Sequence, residues 1–269
     1  MNRSEALEDK VLVSDSERPL GQPALRIEKT DRRVRAFFAG ELMVDSKNVL
    51  LVFEPRRLPV YYFPAEDVRM DLLEPTRHTV DSAGASETLR WDLEVGGRTG
   101  ENAAWGYREA TADRAPLRDH VAFYWSKLDA WFEEDDEVFV HPRDPYHRVD
   151  VVNSSRNVRV VVEGEVIAET SRPRLLFETG LPTRYYIPKL DVNMALLEPT
   201  DTLTGCPYKG QAHYWSVRIG DHVMKDLVWS YPSAIAECPK IENLLCFYNE
   251  KVDLYADGEL QPRPITPWS

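Results

Sequence analysis

The sequence predicts a mainly β, α+β protein built as two tandem domains, each of short antiparallel strands closed by one C-terminal helix. Three observations carry that expectation: a duplication across most of the chain, short β-rich runs punctuated by prolines, and one stretch of helical spacing near the end of each copy. Residues 33 to 135 laid over residues 157 to 259, with a constant shift of 124 and no gap, share the residue type at 28 of 103 positions. That is roughly four times what composition alone gives. Solenoid units repeat every 20 to 50 residues or so, and this longer period therefore marks two copies of a complete fold. The matches cluster, as in Phe53-Glu54 on Phe177-Glu178, Tyr61-Tyr62 on Tyr185-Tyr186 and Leu72 to Thr76 on Leu196 to Thr200.

Taken in order, residues 1 to 30 form an N-terminal extension, and its charges at Glu5, Glu8, Asp9 and Lys10 leave no apolar stretch for a secretory signal. The first repeat, 31 to 136, opens with a hairpin in which Val34 to Phe38 and Glu41 to Val44 flank Ala39-Gly40. Strands are expected at 49 to 53, 60 to 63 and 90 to 95, broken by Pro55, Pro59, Pro64 and Pro75. Leu117, Val121, Tyr124 and Leu128 then fall at helical spacing. A connector, 137 to 156, is too aromatic and apolar for a free tether and is expected to pack along both domains. His141, Asp144, His147 and Asp150 within it match no recognised zinc spacing, so their side chains are expected to bond nearby backbone. The second repeat, 157 to 260, repeats the hairpin around Glu163-Gly164, places a strand at 212 to 219, and has its helical spacing at Ile241, Leu245, Tyr248 and Val252. A closing strand follows, then a tail, 261 to 269.

Composition narrows the function classes. Hydrophobic residues at 43% and charged residues at 29% exclude a disordered chain. The longest apolar runs are far shorter than the roughly 20 residues of a membrane helix, so no membrane partner is expected. A net charge of −12 opposes binding to nucleic acid. The expected location is the cytoplasm, and no cofactor motif or metal-ligand set is visible.

The copies differ at one stretch of equal length. The second reads Thr204-Gly-Cys-Pro-Tyr-Lys-Gly-Gln-Ala-His-Tyr-Trp215, whereas the first reads Val80-Asp-Ser-Ala-Gly-Ala-Ser-Glu-Thr-Leu-Arg-Trp91. Ser82, Gly84 and Ala85 thus stand where the second copy has Cys206, Tyr208 and Lys209, which points to one working site per chain. In that site a neighbouring ammonium favours thiolate over thiol, making Cys206 the candidate nucleophile and Lys209 its electrostatic support. A Lys held in direction by Gly205, Pro207 and Gly210 also suits an anionic group on a small-molecule ligand. His213 and Tyr214 fall on opposite faces of the expected strand, so only one of them can face the loop. Cys238 and Cys246 are expected to be shielded by helix packing.

In its order Cys206, Pro207, Tyr208, Lys209, Gly210, Tyr214, Trp215, Trp229, Tyr231, Pro232, the second copy resembles the tandem form of the bacterial domain of unknown function 427, as do Tyr61 to Pro64 and residues 141 to 150. The resemblance covers about residues 24 to 259. It implies a β-tent fold, two small antiparallel sheets leaning together, related to methionine sulfoxide reductase B and to zinc-bearing domains. Such relatives tie their sheets with paired Cys-x-x-Cys ligands, which Cys206, Cys238 and Cys246 do not supply, so no structural zinc is inferred. A nucleotidyltransferase label attached to the family finds neither a phosphate-binding glycine loop nor paired metal-binding carboxylates here. The motif makes Tyr208, Tyr214, Trp229 and Tyr231 the candidate ligand-binding residues. Trp229 and Tyr231 recur as Trp105 and Tyr107, and core packing is the competing explanation for them. Two readings stand at this level: thiol-dependent catalysis by Cys206 assisted by Lys209, or a binding module or interaction scaffold without chemistry.

Overall fold

A computed structural model describes residues 25–55, 57–76, 80–82 and 86–269. The chain divides into two compact units, Met1–Arg143 and Asp144–Ser269. Each unit holds one larger and one smaller antiparallel sheet, and the strand order is the same in both.

In the first unit the larger sheet runs Arg26–Lys29, Leu50–Phe53, Val60–Pro64, His120–Phe123, Arg98–Glu109, Ser86–Val95, Leu73–Pro75. Its smaller sheet runs Asp136–Glu137, Ala130–Glu133, Val34–Phe38, Glu41–Ser46. The second unit repeats the order as Val149–Asn153, Arg174–Glu178, Arg184–Ile187, Leu245–Phe247, His222–Ser230, Gly210–Ile219, Leu197–Cys206, with Glu165–Thr170, Val158–Val162, Asp253–Ala256 and Glu259–Leu260 in its smaller sheet. The constant shift of 124 seen in sequence is therefore a correspondence of strands. Both larger sheets take in a strand ahead of the opening hairpin, Arg26–Lys29 and Val149–Asn153, whose partly buried, mixed sequences carry little alternation.

Local chemistry explains the hairpins. Ala39 and Gly40 have φ of 50° and 81°, and Glu163 and Gly164 have 49° and 86°. Two successive left-handed residues form the turn whose twist matches a two-residue hairpin, and glycine meets the second position without a Cβ clash. The long hairpins carry a bulge at equivalent places, with Asn102 (φ 47°) and Asp226 (φ 53°) in the left-handed region that Asn and Asp tolerate best.

The expected C-terminal helix is absent from both units. Residues Ala112–Leu117, Trp125–Lys127 and Pro239–Ile241 are short 3-10 turns, and His120–Phe123 and Leu245–Phe247 are strands central to their sheets. The apolar residues do enter the core, since Leu117, Val121, Leu128, Ile241, Leu245 and Val252 are all buried. A spacing of three or four is met here by turn, strand and turn in succession. Leu245, Cys246 and Phe247 are buried one after another, as a strand covered on both faces allows and an amphipathic helix does not.

The tail is tied to the second unit. Gln261 N–H donates to the Leu254 carbonyl at 2.8 Å, Thr266 Oγ1 donates to Glu250 Oε1 at 2.6 Å, and the Trp268 ring lies 5.7 Å from the Arg184 guanidinium. No helix among the described residues is long and apolar enough to cross a membrane.

Candidate functional site

The strands Leu197–Cys206 and Gly210–Ile219 close on Pro207, Tyr208 and Lys209, with Cys206 opposite Gly210 and Lys209 N–H donating to the Cys206 carbonyl at 3.4 Å. Gly210 makes the turn possible. Its φ is 103°, and a Cβ there would stand 3.1 Å from the Ser233 carbonyl oxygen. That close approach seats the loop against the following segment, where Ile235 N–H donates to the Lys209 carbonyl at 3.2 Å and Cys238 N–H to the Ile235 carbonyl at 2.9 Å.

Lys209 is 7% exposed, and its ammonium donates to both carboxylate oxygens of Glu178, at 2.7 and 2.6 Å. Glu178 ends the strand Arg174–Glu178 and also receives His147 Nε2 at 3.0 Å. The His147 ring stacks on Tyr208, with centroids 4.3 Å apart and planes 18° from parallel. The Tyr208 hydroxyl in turn accepts the Asp144 backbone N–H at 2.9 Å. Burial alone would lower Lys209, but the neighbouring Cys206 and Glu178 outweigh it and hold the ammonium above its ordinary value. Burial likewise works to raise Glu178, yet His147 and Lys209 bring it below the usual carboxylate range. Cys206, at intermediate exposure, thus stands beside a fixed cation whose counter-ion is also fixed.

The sequence-expected residues separate into two groups. Cys206, Tyr208 and Lys209 are brought together with Tyr231, whose buried hydroxyl is pushed well above its ordinary value, by burial first and then by the nearby Cys206. Tyr214 faces inward while His213 is exposed, and its hydroxyl lies 2.9 Å from that of Thr204. Trp229 is buried, with its indole N–H donating to the Tyr186 hydroxyl at 3.2 Å. The first unit repeats that bond between Trp105 and Tyr62 at 3.0 Å, which is scaffold packing common to both copies. Cys238 is 3% exposed and Cys246 fully buried, and burial raises their thiols to about 11 and about 12. Strands and a loop shield them where helix packing was expected.

Sequence reasoning missed Glu178 and His147. A signal for the first existed, because Phe53-Glu54 and Phe177-Glu178 recur in register. Of the connector residues read as bonding nearby backbone, His141 meets the Pro142 carbonyl at 2.7 Å and Asp144 Oδ1 accepts Tyr146 N–H at 2.8 Å. His147 instead reaches Glu178. No three His, Cys, Asp or Glu side chains among the described residues gather as a metal would require.

In the first unit Gly84 and Ala85 lie outside the described residues. The equivalent carboxylate is present, however, and Glu54 receives Arg114 Nη2 at 2.6 Å and Arg57 Nη1 at 3.0 Å. Arg114 occupies the position equivalent to Cys238. Each copy keeps a glutamate here and neutralises it with a cation from a different segment.

A family model described as Domain of unknown function (DUF427) matches residues 26–134 and again residues 150–258. No curated protein matches the chain.

Proposed function

The chain belongs to the DUF427 family, carrying its domain twice, and since that description names no activity we propose from the site's chemistry that the second unit is a small-molecule site acting through Cys206. The sulfur of Cys206 attacks an electrophilic centre, and the Lys209 ammonium beside it stabilises the anion that develops in the reaction. Glu178 and His147 are positioning residues that hold Lys209 in place. One observation carries this reading: a buried lysine, fixed by two carboxylate contacts, shares a tight turn and a side-chain interaction with a half-buried cysteine in the copy that keeps the Cys-Pro-Tyr-Lys-Gly loop. The larger and smaller sheets of each unit support the tent-like arrangement that the family resemblance implies, and three free cysteines suit a reducing cytoplasm.

Alkylation of the native protein with iodoacetamide, followed by peptide mass spectrometry, tests the proposal. Cys206 is expected to react at least about tenfold faster than Cys238 or Cys246, whose thiols are buried and raised. Equal labelling of the three, or labelling that spares Cys206, removes the nucleophile.

The second reading is a binding module without chemistry, and the Tyr208 and His147 ring stack beside the thiol supports it. In that reading Lys209 makes a poor anchor for an anionic ligand, because Glu178 already takes its ammonium. A ligand that raises the melting temperature while Cys206 stays unreactive would decide for it.

A further inference from the structure

We propose that Cys206 and Lys209 are a redox modification site, in which a hydroperoxide drives formation of a reversible sulfur–nitrogen cross-link between their side chains. The inference rests on the reading that Cys206 is reactive, and it adds a means by which that site is switched off.

Cys206 and Lys209 are the first and fourth residues of one tight turn, tied by the Lys209 N–H to the Cys206 carbonyl. The three-residue turn between Cys206 and Gly210 sets the two side chains beside one another, and a side-chain hydrogen bond to Cys206 is among the interactions that hold the Lys209 ammonium above its ordinary value. Cys206 is half-buried and open to a small oxidant, whereas Lys209 is enclosed. A sulfenic acid formed at Cys206 therefore meets an amine nitrogen held in place by Glu178. Sulfenic acids condense with nitrogen nucleophiles as well as with thiols.

The chemistry balances. Hydrogen peroxide oxidises the thiol to the sulfenic acid, and one water leaves. Glu178, 2.6 and 2.7 Å from the Lys209 nitrogen, takes a proton from the ammonium. The freed amine attacks sulfur, the sulfur–oxygen bond breaks, and hydroxide departs as water with a second proton from the nitrogen. The products are Cys206 Sγ bonded to Lys209 Nζ–H, a neutral Glu178 and water. The result leaves no buried charge without its partner. The lysine cation and the carboxylate anion disappear together, and the neutral carboxyl keeps its contact with His147, 3.0 Å away. An added thiol attacks sulfur and releases the amine, leaving a mixed disulfide on Cys206 that a second thiol reduces to the free cysteine, so two thiols leave as one disulfide and both side chains are restored.

Without peroxide, alkylation and tryptic digestion of the denatured protein are expected to cut after Lys209 and to give the peptide Leu190 to Lys209 with Cys206 alkylated. After dilute hydrogen peroxide the expected product is an uncut peptide, Leu190 to Arg218, two hydrogens lighter, with Cys206 no longer alkylated. Dithiothreitol before digestion should restore cleavage and alkylation together. Lys209→Arg, which keeps a cation and a tryptic site, should lose the cross-link. Cleavage at Lys209 that persists beside a sulfinic acid at Cys206, a disulfide from Cys206 to Cys238, or a Cys206 left unchanged by peroxide would each overturn the proposal. Rapid alkylation of the reduced protein in those cases would leave the nucleophile reading standing, whereas a Cys206 inert to both reagents would sink the two together.

Discussion

Glu178 shows how one carboxylate fixes a site. With both partners present it satisfies an enclosed ammonium, and with the carboxylate removed Lys209 is an uncompensated buried charge. Glu178→Gln is therefore expected to destabilise the second unit by about 3 to 5 kcal/mol in urea titrations. The pH dependence has a definite sign. Glu178 sits below its ordinary range, so its contribution is complete above the unfolded carboxylate value and is lost as pH falls through the folded one. Lys209 sits above its ordinary value, so its contribution is complete below the unfolded amine value and is lost as pH rises through the folded one. Stability measured from acid to alkali should fall off at both ends in the wild type, and Glu178→Gln should flatten the acid limb. At this scale Cys206 and Lys209 were legible because their residue types differ between copies. His147 was not, since a ring reaching across from the connector leaves no spacing signal.

Among the elements, turns were the most legible and the final helix the least. A Gly following a small or acidic residue between two apolar runs marks the hairpins at Ala39-Gly40 and Glu163-Gly164. The segments near 117 to 128 and 241 to 252 are decided by tertiary pairing: each strand there lies between two others, and that environment overrides apolar periodicity. The site loop gives the sharper test. Gly210→Ala adds a Cβ close to the Ser233 carbonyl at a φ that ordinary residues avoid, and should cost about 1 to 3 kcal/mol. Because the same clash pushes the loop from its seat, amide hydrogen exchange should rise at Ile235 and Cys238, whose N–H groups are bonded there. Unchanged protection at both would show that the loop is not held by that contact.

Across the whole molecule, the duplication made the two-unit architecture readable while concealing that the units solve one problem differently. Each unit completes its own sheets and encloses its own apolar clusters, so residues 144 to 269 expressed alone should fold and unfold cooperatively in urea. A fragment with no cooperative transition would contradict this. Arg114 has a longer reach than its bond to Glu54 suggests. Grafting Cys-Pro-Tyr-Lys-Gly onto positions 82 to 86 would add a lysine beside a carboxylate that Arg114 and Arg57 already hold, and that graft should be less stable than one that also carries Arg114→Cys. The cations of the two copies are thus not interchangeable one residue at a time: moving the loop from one copy to the other means moving the residue at position 114 or 238 with it.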